Sequence, residues 1–209
     1  MNKPANAIRR GRKYDQVLDG ARDVFMSCGY EGASVDEIAR VAGVSKATLY
    51  SYFPDKRLLF LEVVRAECRR QVDEARKVVD IDASPEAVLR HAARRIVDFY
   101  ISDFGRNVHR IAVAESARFP ELGREFYLSG PAFAREQLGE FLQACCAAGV
   151  LVIDDVNLAA DQFVMLCHAD LADRVNFNVQ TVFSGDEIER VVAGAVATFL
   201  ARYRVGTAP

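Results

Sequence analysis

Six side chains within seven positions, Lys46, Ala47, Thr48, Tyr50, Ser51 and Tyr52, carry the densest recognition chemistry in this chain of 209 residues. Lysine can donate to guanine or to a phosphate. Threonine offers a hydroxyl and a methyl that can touch thymine, and alanine permits close approach. The mix suits the major groove of DNA. Catalytic constellations are missing by comparison. His91, His109 and His168 are too scattered to suggest a metal triad, and the chain holds no H-E-x-x-H, glycine-rich phosphate loop or G-x-S-x-G. No enzymatic activity, no cofactor and no metal site is expected. Cys28, Cys68, Cys145, Cys146 and Cys167 are odd in number and show no C-x-x-C spacing, which reads as reduced cytoplasmic thiols. Cys145 and Cys146 are adjacent, about 100° apart around a helix, and rarely could such a pair bridge. A thiol sensor is an alternative that loss of response on Cys-to-Ser substitution would separate from small-molecule sensing.

The elements that must position Lys46–Tyr52 are legible in the pattern. Tyr14, Val17, Leu18, Ala21, Val24, Phe25 and Cys28 recur at helical spacing, so a first helix is expected over 13–28, ended by Gly29. Ser34 with Glu37 three residues on is a capping box opening a short helix, 35–41. Gly43 supplies a sharp turn and Ser45 caps a second short helix, 46–52, which Pro54 cannot continue. Two short capped helices around a glycine turn make a helix-turn-helix, with Ile38, Ala39, Val44, Leu49 and Phe53 as its core contacts. Asp55 caps a long helix over 56–79. Further helices are expected over 85–103, 106–118, 120–128, 131–148, 156–173 and 185–203, the last capped by Ser184 and Glu187. The apolar run 149–154 reads as a connector, since an isolated strand has no partner. The expected fold is all-α with nine or ten helices. Residues 1–54 would form a DNA-binding domain with a basic arm, and 55–209 a helical effector and dimerisation domain.

Net charge is −2 overall, but the first fourteen residues hold Lys3, Arg9, Arg10, Arg12 and Lys13 and no acid. A basic arm on a mildly acidic body is suited to phosphate neutralisation. No secretory leader is expected from residues 1–14, which lack an apolar stretch, and no run of about 18 apolar residues suggests a membrane span. A cytoplasmic location is therefore expected.

The stretch SVDEIARVAGVSKATLYSYFPDKRLLF, together with Tyr30 and Gly32 ahead of it, resembles the DNA-binding signature of the TetR family of bacterial regulators. The likeness covers about residues 10–60. It implies base contacts from Lys46, Ala47, Thr48 and Ser51, and phosphate contacts from Tyr50, Tyr52 and Lys56. Ser34 would donate to a phosphate from the start of its helix, where the dipole assists. Arg9, Arg10 and Arg12 would either enter the minor groove or belong to a disordered basic arm. Ser51 is small where many relatives carry a bulkier or imidazole side chain, so the match does not fix which base is read.

The remainder resembles TetR-type effector domains in length and helix count, and Ala114–Tyr127 is similar to the matching segment of multidrug-efflux repressors. That implies a small hydrophobic effector held between the fifth and eighth helices. Candidate lining residues are Phe99, Tyr100, Phe104, Phe126, Tyr127, Phe133 and Phe141, with His109 and His168, and also His91 and Glu115, as polar candidates. Aromatic residues at such spacing serve equally as core. The last two helices are apolar on more than one side, and Ala193, Gly194, Ala195 and Ala197 permit close approach, which suits a two-fold four-helix bundle in a homodimer. The reading that emerges is a ligand-responsive repressor of a palindromic operator in double-stranded DNA. Beside the thiol sensor stands one more alternative, an architectural DNA-binding protein with no effector.

Overall fold

The computed structural model describes residues 11–78 and 84–206. Among them the chain is nearly all helical, with eleven helices: α1 (Arg12–Gly32), α2 (Val35–Val41), α3 (Lys46–Tyr52), α4 (Lys56–Val78), α5 (Pro85–Ile101), α6 (Asp103–Ser116), α7 (Pro120–Ser129), α8 (Pro131–Ala147), α9 (Val156–His168), α10 (Leu171–Asn176) and α11 (Gly185–Tyr203). Local signals explain most boundaries. Ser34, Ser45, Ser84, Asp155 and Ser184 each accept a backbone N–H from the first turn that they cap, removing donors that a helix start leaves unpaired.

Three departures from the expected elements have physical causes. The first helix breaks at Gly29, whose φ of 70° and ψ of 179° are not helical, yet another turn follows to Gly32. The α6 helix begins at Asp103, three residues before expectation, because Ser102 Oγ accepts the N–H of Gly105 at 3.0 Å and starts the helix early. The single helix expected over 156–173 is two. Asp170 adopts φ 64° and ψ −46°, and Leu171 N–H donates to Ala169 O at 2.7 Å across it. This is a γ-turn of the strained hand. Asp170 is held there by ion pairs to Arg174 and Arg190. The connector 149–154 does find a partner: Leu151 bridges Arg204 in antiparallel fashion just past α11, with Val152 N–H donating to Tyr203 O at 2.8 Å.

Two cores follow. One packs α1, α2, α3 and the first half of α4 around Val17, Phe25, Ile38, Leu49, Leu59 and Phe60, all almost fully buried, and is closed by Phe104, Val108 and Ile111 of α6. Each such side chain contributes roughly 1.5–3 kcal/mol on burial. The other packs α5, α8, α9 and α11 around Leu89, Leu142, Phe163, Val192 and Phe199. Among the described residues no helix is long and apolar enough to cross a membrane.

Candidate functional site

The α2–turn–α3 unit is built by its caps and by one glycine. Gly43 has φ of 65°, and Val44 N–H closes the turn on Ala39 O at 3.0 Å. Side chains of non-glycine residues rarely tolerate that conformation. Leu49 and Phe53 point inward at 1% and 3% exposure, which turns Lys46, Ala47, Tyr50 and Ser51 outward. Thr48 is half-buried. Its hydroxyl meets Ser45 Oγ at 2.8 Å. Ser51 Oγ donates to Thr48 O at 2.6 Å. Ser34 is exposed while its Oγ accepts from Glu37 N–H at 3.1 Å, so its own proton remains available to a phosphate.

Of the two tyrosines, Tyr50 is exposed at 47%. Tyr52 is half-buried, edge-on to Tyr14 with centroids 5.8 Å apart, and presents less of itself to solvent. Lys56 is not a free surface cation. Its ammonium donates to Tyr30 O at 2.8 Å and Ala33 O at 3.0 Å and sits 4.5 Å from the centre of the Tyr30 ring. It thereby ties the start of α4 to the link between α1 and α2, with one N–H left over. Replacing it with alanine removes both of these hydrogen bonds. Lys56→Ala is expected to cost about 2 kcal/mol, because hydrogen bonds to charged groups exceed neutral ones. Thermal unfolding without DNA checks this, since a lysine that served DNA alone would leave Tm unchanged. Arg12 is exposed at the start of α1; Arg9 and Arg10 lie outside the described residues.

The effector candidates do not gather in one place. Phe99, Phe104 and Phe126 join the N-terminal core and Phe141 joins the C-terminal one. Phe133 is half-buried on α8. Tyr127 is exposed, with the Arg135 guanidinium 5.9 Å from its ring centre. Tyr100, His109 and His168 do come together. The Tyr100 ring centroid lies 4.1 Å from that of His168 and 5.8 Å from that of His109, and its hydroxyl pairs with the Asn176 amide at 3.0 Å. His91 Nε2 is buried without a hydrogen-bond partner. Nothing is described for the side chain of Glu115.

Burial, reinforced by the neighbouring His109, pushes the His168 imidazole down to about 4, and burial lowers His109 as well. His168 is thus neutral in the folded protein and charges readily only when unfolded. Its contribution to stability is complete above the ordinary histidine value of 6.5 and is lost as pH falls towards 4. Urea midpoints are expected to drop between pH 7 and pH 5, and His168→Phe should flatten that drop. An unchanged pH dependence in the variant would remove His168 as its source. Burial raises Cys68 to about 11 and Cys167 to about 12, and raises Cys145, the reverse of what a reactive thiolate needs.

One feature of the joint between head and body escapes sequence reasoning. Glu67 is 5% exposed on α4. Its carboxylate accepts from Arg22 of α1 at 3.3 Å and from Arg70 at 2.5 and 3.1 Å. The Arg22 guanidinium also lies 5.7 Å from the centre of the Phe104 ring on α6. A cleft of about 230 Å³ opens there, lined by Leu18, Asp19, Arg22, Val63, Ala66, Glu67 and Arg70. Arg22 of α1 therefore contacts two further helices, α4 and α6, at once. A glutamate followed by a cysteine and two arginines carries no pattern that marks it as buried.

A helix-turn-helix head built on the first half of a long helix, beside a separate helical core, defines a DNA-binding transcriptional regulator. Residues 17–63 match the family model for bacterial regulatory proteins of the tetR family, and residues 87–205 match the AefR-like transcriptional repressor C-terminal domain. The chain belongs to the tetR family. A TetR-family regulator from Mesorhizobium loti matches with a TM-score of 0.82 at 30% identity, covering 93% of this chain and 98% of that one. The flavonoid-responsive regulator FrrA matches with a TM-score of 0.73 at 35% identity, covering 94% and 100%. The transcriptional activator FasR of Mycolicibacterium smegmatis is 34% identical over 102 residues, 49% of this chain and 47% of FasR. The chain spans about half or less of the length of such curated relatives.

Proposed function

We propose that this protein is a cytoplasmic, homodimeric repressor that binds a palindromic operator and is released when a small hydrophobic effector fills residues 55–209. The observation that carries the release is the Arg22 contact with Glu67 and Phe104, which ties α1 to both α4 and α6. A head so tied follows any shift of those helices. Lys46, Ala47, Thr48 and Ser51 read bases. Ser34, Tyr50, Tyr52 and Lys56 hold phosphates, and Arg9, Arg10 and Arg12 reach into the minor groove. The two heads must sit about 34–36 Å apart to address successive major grooves on one face. An effector that fits only a splayed dimer weakens binding about tenfold for each 1.4 kcal/mol of preference.

The Tyr100, His109 and His168 cluster provides neutral polar groups beside an aromatic face, which favours an uncharged, hydroxylated ligand over an anion. FrrA responds to flavonoids by its description, so planar polyphenols head the screen. The test is binding to the chain's own upstream intergenic DNA at two salt concentrations, then titration with such compounds. Saturable, salt-sensitive binding to one palindrome that a compound reverses supports the reading. Binding with no sequence preference would replace it with the architectural alternative.

A further inference from the structure

The lysine at the head of the reading helix is already engaged. Lys46 Nζ lies 2.5 Å from Asp36 Oδ1, an ion pair that runs from the first turn of α3 back to the first turn of α2. Both side chains are open to solvent, at 53% and 70% exposure; Asp36 is an acid in the first turn of α2, where it also complements the helix dipole, but it does not cap that helix. Ser34 caps α2, and the neighbouring Glu37 is taken by Arg40 at 2.6 and 2.9 Å. The hydrogen bond that Lys46 donates to Asp36 raises the Lys46 pKa, with Tyr50 adding a smaller push one turn along α3, so the ammonium keeps its charge.

We propose that Asp36 is a specificity-determining residue, which biases Lys46 against phosphates and towards the neutral acceptor edge of a base. The inference rests on the reading of α3 as the groove-reading helix. An ammonium has three donors, and one is spent on Asp36. A phosphate that takes another must approach the Asp36 carboxylate, and the two anions repel. Guanine O6 and N7 are uncharged acceptors and meet no such repulsion. Any duplex offers phosphates, and contacts to them carry no sequence information. A carboxylate that penalises them lowers binding to wrong sequences more than to the right one.

The test measures binding of the full-length protein to two duplexes, one of mixed sequence and one enriched from a random pool by the wild-type protein, over a range of salt. Asp36→Asn is expected to tighten mixed-sequence binding about fivefold, the scale of an exposed charge pair. It should steepen the salt dependence by roughly one for each copy bound. Binding to the enriched duplex should rise less, so that the ratio between the two falls. In a Lys46→Ala background the same substitution should leave the ratio unchanged. An unaltered ratio and salt slope in Asp36→Asn, when Lys46→Ala still weakens the enriched duplex, overturns the inference alone. If Lys46→Ala changes neither duplex, Lys46 does not read DNA and the inference falls with that assignment.

Discussion

Gly20→Ala is expected to cost about 2–3 kcal/mol, the range for overpacking a tight contact, and to lower Tm by roughly 5–10 °C for a chain of this size. Helix propensity alone argues the other way, since alanine is worth about 1 kcal/mol more than glycine inside a helix. The contact decides. A Cβ at Gly20 would lie 2.7 Å from Ala42 N and 2.8 Å from its Cα and Cβ. Two of those atoms are backbone at the end of α2 and the third is a Cβ fixed to them, and Ala42 N–H is itself bonded to Ile38 O at 2.9 Å. They cannot swing aside as a flexible side chain would. What yields is the spacing between α1 and the α2–α3 turn, which sets the tilt of the reading helix. DNA affinity should therefore fall further than lost stability accounts for, even at temperatures where the variant is fully folded. Thermal unfolding and duplex titration on the same preparation separate the two effects. A Gly20→Ala protein with raised Tm and unchanged affinity would show that α1 does not press on the turn.

The reading unit was legible in sequence because its instructions are local. Ser34, Gly43 and Ser45 each act on atoms within three or four residues, and the elements they bound lie where the pattern puts them. Contacts between distant segments left no such trace. The Arg22 to Glu67 contact spans 45 residues, and neither side chain differs in type from ordinary surface charge. The break between α9 and α10 was hidden for another reason. Ala169 and Asp170 carry no glycine or proline, and the strained turn is held by arginines, one of them on α11. The aromatic candidates show a third limit. Periodicity establishes that Phe99 and Phe104 face inward, but not which of two cores they face, and they joined the one beneath the head.

The same limit applies to the last two helices, where it directs the second large effect. Phe163, Cys167, Leu171, Val191, Val192, Ala195, Val196, Phe199 and Leu200 are consumed inside the protomer, so they cannot also pair two copies. What α9 and α11 leave exposed is Leu158 and Met165, at 52% and 59%, beside Gly194, Ala197 and Ala201. A Cβ at Gly194 would meet nothing within 4 Å. Within one protomer, then, Gly194→Arg is sterically free and gains helix propensity. In the proposed homodimer, with α9 and α11 pairing the two copies, it would bring two guanidinium groups together and fill the space that small residues leave for close approach. Gly194→Arg is expected to yield a folded, helical monomer whose operator affinity is at least about a hundredfold weaker, because the second half-site no longer benefits from linkage to the first. Sedimentation equilibrium reads the association state, circular dichroism the fold, and duplex titration the affinity. A variant that stays dimeric with full affinity would place the interface on another face of the molecule, whereas an unfolded one would mean that each protomer depends on its partner to fold. Gly194→Ala separates those cases: its single methyl group is expected to leave the dimer and Tm intact, so dissociation there would locate the contact at Gly194 itself.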